Sequence, residues 1–258
     1  MQYLNNVWIE TLKECLEHGR DVSPRRNPTK EFTKTTVINM NYPVLTIKKR
    51  KLGYKFMAAE AYWILTGDNR LESIKPYSKT ISKYSDDKIT FFGAYGPKFV
   101  DQSSYVIEKL VYDKYTRQAV CNIWREHPRI TKDVPCTLNL QWTIRDNTLD
   151  CHANMRSSDL WLGWPYDVFN FSMMSRYIKH CYDRRIGFWE GDHGLEMGHL
   201  YLHSSCMHLY ETDVEKAKEC IKDDIRHIEP IIDSEDVNSL KSILFNLRET
   251  GFEWPQTK

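Results

Sequence analysis

The chain has 258 residues, with 36 Lys plus Arg against 35 Asp plus Glu and a formal net charge of +1. So even a balance excludes a general nucleic-acid binder and leaves any bound anion to a few placed cations. No apolar run approaches the roughly 18–20 residues of a membrane-spanning helix, and seven cysteines, an odd number with no CxxC pair, exclude a disulfide framework and read as reduced thiols in a cytoplasmic compartment.

Along the chain, Leu4, Val7, Trp8, Leu12, Cys15 and Leu16 recur at helical spacing and predict a helix over 3–17 that Gly19 ends. The polar stretch 20–31, with Pro24 and Pro28, is predicted to be a loop. The β-branched run 35–47 predicts a strand. Residues 55–66 predict a buried helix ending at Gly67, and 102–112 a second helix. Strands follow over 118–124, 136–144 and 149–155, the last two joined by a hairpin-type turn at Asp146-Asn147. A long helix is expected over 167–184, a strand over 195–202 and a helix over 212–222, while 229–258 carries no decisive pattern. No repeat, low-complexity tract or linker divides the chain, so residues 1–258 read as a single α+β domain.

The side chains that could carry chemistry each have a plainer alternative. Cys136, after Pro135 at the start of a strand, is a nucleophile or a small core residue. Arg156-Ser157 offers a guanidinium fork and a hydroxyl to a phosphate, or is a surface pair with Asp159. His199, Tyr201 and His203 share one strand face, which lines a pocket or faces solvent. A metal-dependent hydrolase using His193, His199 and His203 lacks any further ligand pattern. Glu60 lies within an apolar helix, where burial would raise its pKa and suit it to moving protons, unless it sits at the helix's solvent edge.

Taken together, these features resemble the thymidylate synthase family and its phage hydroxymethylase relatives. Pro135-Cys136 with Gln141 resembles the family's Pro-Cys nucleophile motif and its downstream Gln. Arg156-Ser157-x-Asp159-x-x-Leu162-Gly163-x-Pro165-Tyr166 resembles the signature Arg-Ser-x-Asp-x-x-Leu-Gly-x-Pro-Phe. His199-Leu200-Tyr201 is similar to a His-x-Tyr that meets the deoxyribose, and Glu60 through Asp68 to a Glu-x-x-Trp-x-x-x-Gly-Asp segment. Gly93-Ala94-Tyr95-Gly96 is similar to a family turn, and Arg25 or Arg26 stands where a flexible loop presents an arginine.

The resemblance implies a mixed β-sheet flanked by helices and a homodimer packed through the sheet. It implies 5,10-methylenetetrahydrofolate as co-substrate, a pyrimidine deoxynucleotide monophosphate as substrate, and no metal. Cys136 would add to C6 as a thiolate favoured by nearby arginines. Glu60 would move protons through water, Asp159 and Gly163 would meet the folate, and Gln141, Ser157 and Arg156 would bind the nucleotide. Arg25, and Arg117 donated by the partner subunit, would complete the phosphate site, and His199 and Tyr201 would hold the sugar. The chain departs from the pattern twice: Gln118 replaces a second arginine beside Arg117, and Asp167 stands where synthases acting on dUMP carry Asn. Cytosine offers an N3 acceptor and an N4–H2 donor, which a carboxyl matches and uracil O4 does not, a mismatch worth roughly 10⁴–10⁵ in a site built on polar pairing. Asp167 could otherwise simply cap the next helix. The polar C-terminal sequence 252–258 leaves water a path to the last step. The expected activity is therefore dCMP hydroxymethylation, in a phage-infected bacterial host. The alternatives are dCMP methylation, thymidylate synthesis or hydroxymethylation on dUMP, and a non-enzymatic nucleotide-binding regulator.

Overall fold

A mixed sheet organises the chain in the computed structural model, which describes residues 3–187, 194–223 and 232–252. Strand β1 (Arg20–Val22) pairs antiparallel with β2 (Thr29–Asn39), and β2 with the long β7 (Glu196–Tyr210). On the other side of β7 come β5 (Thr148–Met155), β4 (Thr137–Arg145) and β3 (Val120–Asn122). The short β6 (Ser158–Asp159) also pairs with β7. Only the β5–β7 and β6–β7 pairings are parallel among the described strands. A parallel pair needs a crossover, and helix α5 (Trp164–Ile186) provides it.

The helices cover one sheet face. Helix α1 (Leu4–His18) packs on β2, while α5 packs on β5 and β7. Helices α2 (Tyr54–Leu65), α3 (Leu71–Ile74) and α4 (Tyr95–Tyr112) follow β2 in the chain, and α6 (Glu211–Ile221) and α7 (Val237–Thr250) follow β7. Trp8, Trp142, Trp164, Phe99, Phe169 and Phe171 are fully buried. Their indole N–H groups find acceptors: Trp8 donates to the Leu160 carbonyl at 2.8 Å and Trp142 to Ser175 Oγ at 2.9 Å. Buried Tyr and Trp are tolerated on this condition. The opposite face is open. Val37 (43 % exposed), Tyr201, His152 and Gln141 form one cross-strand row there, and Thr35, His203, Asn154 and Asn139 the next.

Several elements differ from the sequence reading. The stretch 20–31 is not all loop, because β1 and the start of β2 form a hairpin at the sheet edge. Its backbone groups are paired, but its exposed side chains hide the strand period. The predicted strand 35–47 ends at Asn39; Met40, Val44, Leu45 and Ile47 run into the core without strand geometry. Helix α4 begins at Tyr95, and β7 continues past Leu202 to Tyr210. The patternless C-terminal region contains α7, started by a reciprocal Asp236–Ser239 capping box. At the β4–β5 turn Asp146 and Asn147 both take positive φ (47° and 60°), as a two-residue hairpin requires.

Trp8 ties α1 to the Leu160 turn across the core. Trp8→Ala should lower the unfolding free energy by about 3–5 kcal/mol, measured by urea denaturation. A loss below about 1 kcal/mol would mean that this end of the core is loosely packed.

Candidate active site

The signature 156–167 spans the connection from the C-terminal end of β5 to the first turn of α5. In sheets with parallel strands, this is the end that ligands approach. Arg156 locks the nucleophile segment in place: its backbone N–H donates to the Cys136 carbonyl at 2.9 Å, its Nε to Pro135 O at 2.9 Å, and its Nη2 to Val134 O at 3.0 Å. The same Nη2 stands 3.7 Å from Cys136 Sγ, so the Nη1 donors are left for an incoming anion. Arg156 lowers the pKa of the Cys136 thiol, but burial outweighs it and the net shift is upward. The expected arginine-stabilised thiolate is thus not the resting form, and the carboxyls of Asp167, Asp159 and Asp133 also oppose it.

Asp159 spends one oxygen on its own turn, accepting from the N–H groups of Trp161 and Leu162, both at 2.9 Å. Gly163, not Asp167, is the N-cap of α5. A Cβ at Gly163 would lie 3.4 Å from Asp167 Oδ2, so the missing side chain leaves room beside that carboxyl. Among the described residues no hydrogen-bond donor reaches the Asp167 carboxyl, which rules out the capping role. Burial first, then the neighbouring Glu60 and Asp159, hold its pKa well above the usual carboxylate range.

Glu60, in the middle of α2, accepts a 2.7 Å hydrogen bond from Asn170 Nδ2 on α5. Burial pushes it up to about 7, with Asn170 opposing, so it is no solvent-edge carboxylate. Tyr95, at the start of α4, completes the group. Its hydroxyl is 3.0 Å from Thr137 Oγ1, next to Cys136, and it responds to charge on both Asp167 and Cys136.

Sequence reasoning missed one pair. Ser157 Oγ lies 3.4 Å from His208 Nδ1, because β6 pairs with the far end of β7. His208 packs edge-on against Tyr210, and Tyr210 is the register partner of Thr29. The loop carrying Arg25 and Arg26 is tied there too, through the Glu211 N–H to the Pro28 carbonyl. Both arginines hold positive φ (53° and 64°), a costly backbone state for non-glycine residues. The signal was present, since His-Leu-Tyr occurs twice, at 199–201 and at 208–210.

The structure does not bring His199 and Tyr201 to this group. His199 lies near Asp150 at the start of β7, nine residues before His208, roughly 30 Å along an extended strand, and Tyr201 stacks on His152 on the open sheet face. Gln141 is also on that face, donating to the Arg117 carbonyl at 2.8 Å in its own chain. His203 pairs with Thr35, and His193 lies outside the described residues. Among the described residues no group of three or more His, Cys, Asp or Glu side chains is placed to hold a metal, and no helix is long and apolar enough to cross a membrane.

The thymidylate synthase family model matches residues 6–249, nearly the whole chain. This protein belongs to the thymidylate synthase family. Among its relatives is a deoxyuridylate hydroxymethyltransferase of Bacillus phage SP01, 27% identical over 229 residues; the match covers 80% of this chain and 57% of the phage protein, so the chain spans little more than half of that relative. Another is a putative thymidylate synthase of Methanothermobacter marburgensis, 24% identical over 229 residues, covering 83% of this chain and 93% of that protein. Membership makes the chain a one-carbon transferase acting on pyrimidine nucleotides, in a family whose co-substrate is methylenetetrahydrofolate.

The raised pKa of Glu60 gives the family site a stability signature. A carboxyl near 4.5 when unfolded and about 7 when folded contributes stability below the lower value and loses it as pH rises through the upper. Glu60→Gln removes the buried charge. It should therefore stabilise the protein by about 2–3 kcal/mol at pH 8 and hardly at pH 5, read by thermal melts at both pH values. An equal effect at both would mean that Glu60 is solvated.

Proposed function

We propose that this enzyme hydroxymethylates dCMP at C5, and the observation that carries this reading is the half-buried Asp167 carboxyl, held towards its protonated form with no hydrogen-bond donor reaching it among the described residues. A protonated carboxyl donates to cytosine N3 and accepts from N4–H2. Uracil presents a donor and an acceptor in the opposite places, so the same carboxyl leaves buried polar groups unpaired.

Cys136 gives up its proton to water and its sulfur bonds to C6 as the C5=C6 electron pair shifts towards C5, making C5 nucleophilic. Methylenetetrahydrofolate supplies the one-carbon unit, with Asp159, Gly163 and Glu60 closest to where it would sit. The C5 proton passes to Glu60 and from it to the nitrogen of the departing tetrahydrofolate as the bond from that nitrogen to the one-carbon unit breaks, leaving an exocyclic methylene and an ionised Glu60. At the last step water adds to the exocyclic carbon, one of its protons goes to Glu60, and the Cys136–C6 bond breaks with its electron pair left on sulfur. Arg25, Arg156 and Ser157 hold the phosphate, while His208 and Tyr210, rather than His199 and Tyr201, meet the sugar. The hydroxymethyl outcome is supported by the name of the phage relative. The C-terminal residues 253–258, whose polarity suggested a water path, lie outside the described residues. A second reading, the same transfer to dUMP, is favoured by that relative's name.

The active unit in this proposal is a homodimer joined through the open sheet face. Gln141 holds the backbone of Arg117 at the edge of that face, ready to present the guanidinium to the partner's phosphate site. Its setting is cytoplasmic.

Two experiments test these readings. Tritium release from C5-labelled dCMP and dUMP, with methylenetetrahydrofolate and mass analysis of the product, should show release from dCMP and a hydroxymethyl product. Release from dUMP alone would remove the cytosine reading, and a methyl product would remove the hydration step. For the dimer, Arg117→Ala and Cys136→Ala should each be nearly inactive, and mixing them after reversible dissociation should restore up to about a quarter of native activity through shared sites. No restoration would place Arg117 outside the partner's site.

A further inference from the structure

Asn170 has no part in the steps above, yet it is the only described side chain hydrogen-bonded to Glu60. It is 3 % exposed, one turn beyond Asp167 on α5. Its Nδ2 is committed to Glu60 Oε2 at 2.7 Å, while its Oδ1 is buried with no partner. A buried amide oxygen left unpaired by protein is normally met by water. Both atoms belong to one planar amide, so the free acceptor lies on the same side chain that holds Glu60.

Resting on the reading of the enzyme as a hydroxymethylase, we propose that Asn170 is a positioning residue that keeps Glu60 ionised and aimed, and that its free carbonyl oxygen holds the water consumed in the final step. Asn170 Oδ1 accepts one O–H of the water, and Glu60 takes the proton of the other. The water oxygen bonds to the exocyclic carbon, and the thioether electrons return to Cys136. An ionised Glu60 is essential, because only the carboxylate accepts both the Asn170 N–H and the water proton. The groups bearing on its charge are Asp167 and Tyr166 from α5. From α4, Tyr95 faces Asp167; from α7, Arg248 lies over Tyr62 and Phe245 instead. Asn170 is thus the donor that opposes the burial of Glu60.

The test uses Asn170→Ala, the near-isosteric Asn170→Asp, which lacks the N–H donor, and Asn170→Ser, which offers an O–H donor in its place. For Ala and Asp, kcat for hydroxymethyl product at pH 7.5 should fall tenfold or more, nucleotide KM should stay within threefold, and the acidic limb of the kcat–pH profile should move to higher pH. Asn170→Ser should recover part of kcat. An unmoved acidic limb, or a loss carried by KM, overturns the proposal. Infrared titration of the Glu60 carboxyl band, identified by its absence in Glu60→Gln, follows the same group without turnover. The midpoint should rise in Asn170→Ala, and an unchanged midpoint overturns the proposal. If the native enzyme makes no hydroxymethyl product from either nucleotide, the functional reading falls, while the infrared midpoint still decides whether Asn170 governs Glu60.

Discussion

Parallel pairing of β5 with β7 obliges the chain to return from one end of the sheet to the other before β7 can begin, and α5 makes that return. The segment between the end of β5 and the start of α5 must therefore turn sharply over the sheet's ligand-facing end. Arg156, Asp159, Gly163 and Asp167 all lie in it. Arg156 reaches back to fix residues 134–136, and β6 continues the parallel pairing as far as His208. Cys136, Arg156, His208 and Asp167 converge because one crossover needs one turn.

That turn also concentrates acid. Asp167 feels the charge of both Glu60 and Asp159, and burial pushes all three carboxyls up. Carboxyls this close cannot all ionise, and their environments set them apart. Asp159 has two backbone donors, Glu60 has one side-chain donor, and Asp167 has none among the described residues. The ordering sets them apart: Asp167 is held furthest towards its protonated form, as the proposed base reading needs, and Glu60 is pushed up to about 7, as the proposed proton transfer needs. The cost is stability at high pH, a common one for functional sites.

The family signature was legible in the sequence because its residues are contiguous and act within one turn. Cys136 and Glu60 could be placed by motif, and the structure brings both to that turn. Gln141 could not. A β-bulge between Thr137 and Asn139 resets which face later residues of β4 take, and Gln141 emerges on the open side. The His208–Tyr210 pair beside Ser157 was hidden by a repeated tripeptide, and only the β6–β7 register distinguishes 208–210 from 199–201. Residues 40–47 looked like strand because they are apolar and β-branched, but burial and hydrogen bonding decide the backbone, and Thr46 is held by Asn5 instead of a neighbouring strand. Asn170 gave no signal, since a lone amide in a helix acquires meaning only from the carboxylate it faces.

The central claim, that a neutral buried carboxyl reads the base, is met most directly by calorimetric titration of dCMP and dUMP into the native enzyme and into Asp167→Asn. The account requires the native enzyme to bind dCMP at least tenfold more tightly than dUMP, and the Asn variant to reverse that order. Equal native affinities, or a preference untouched by the substitution, would contradict it.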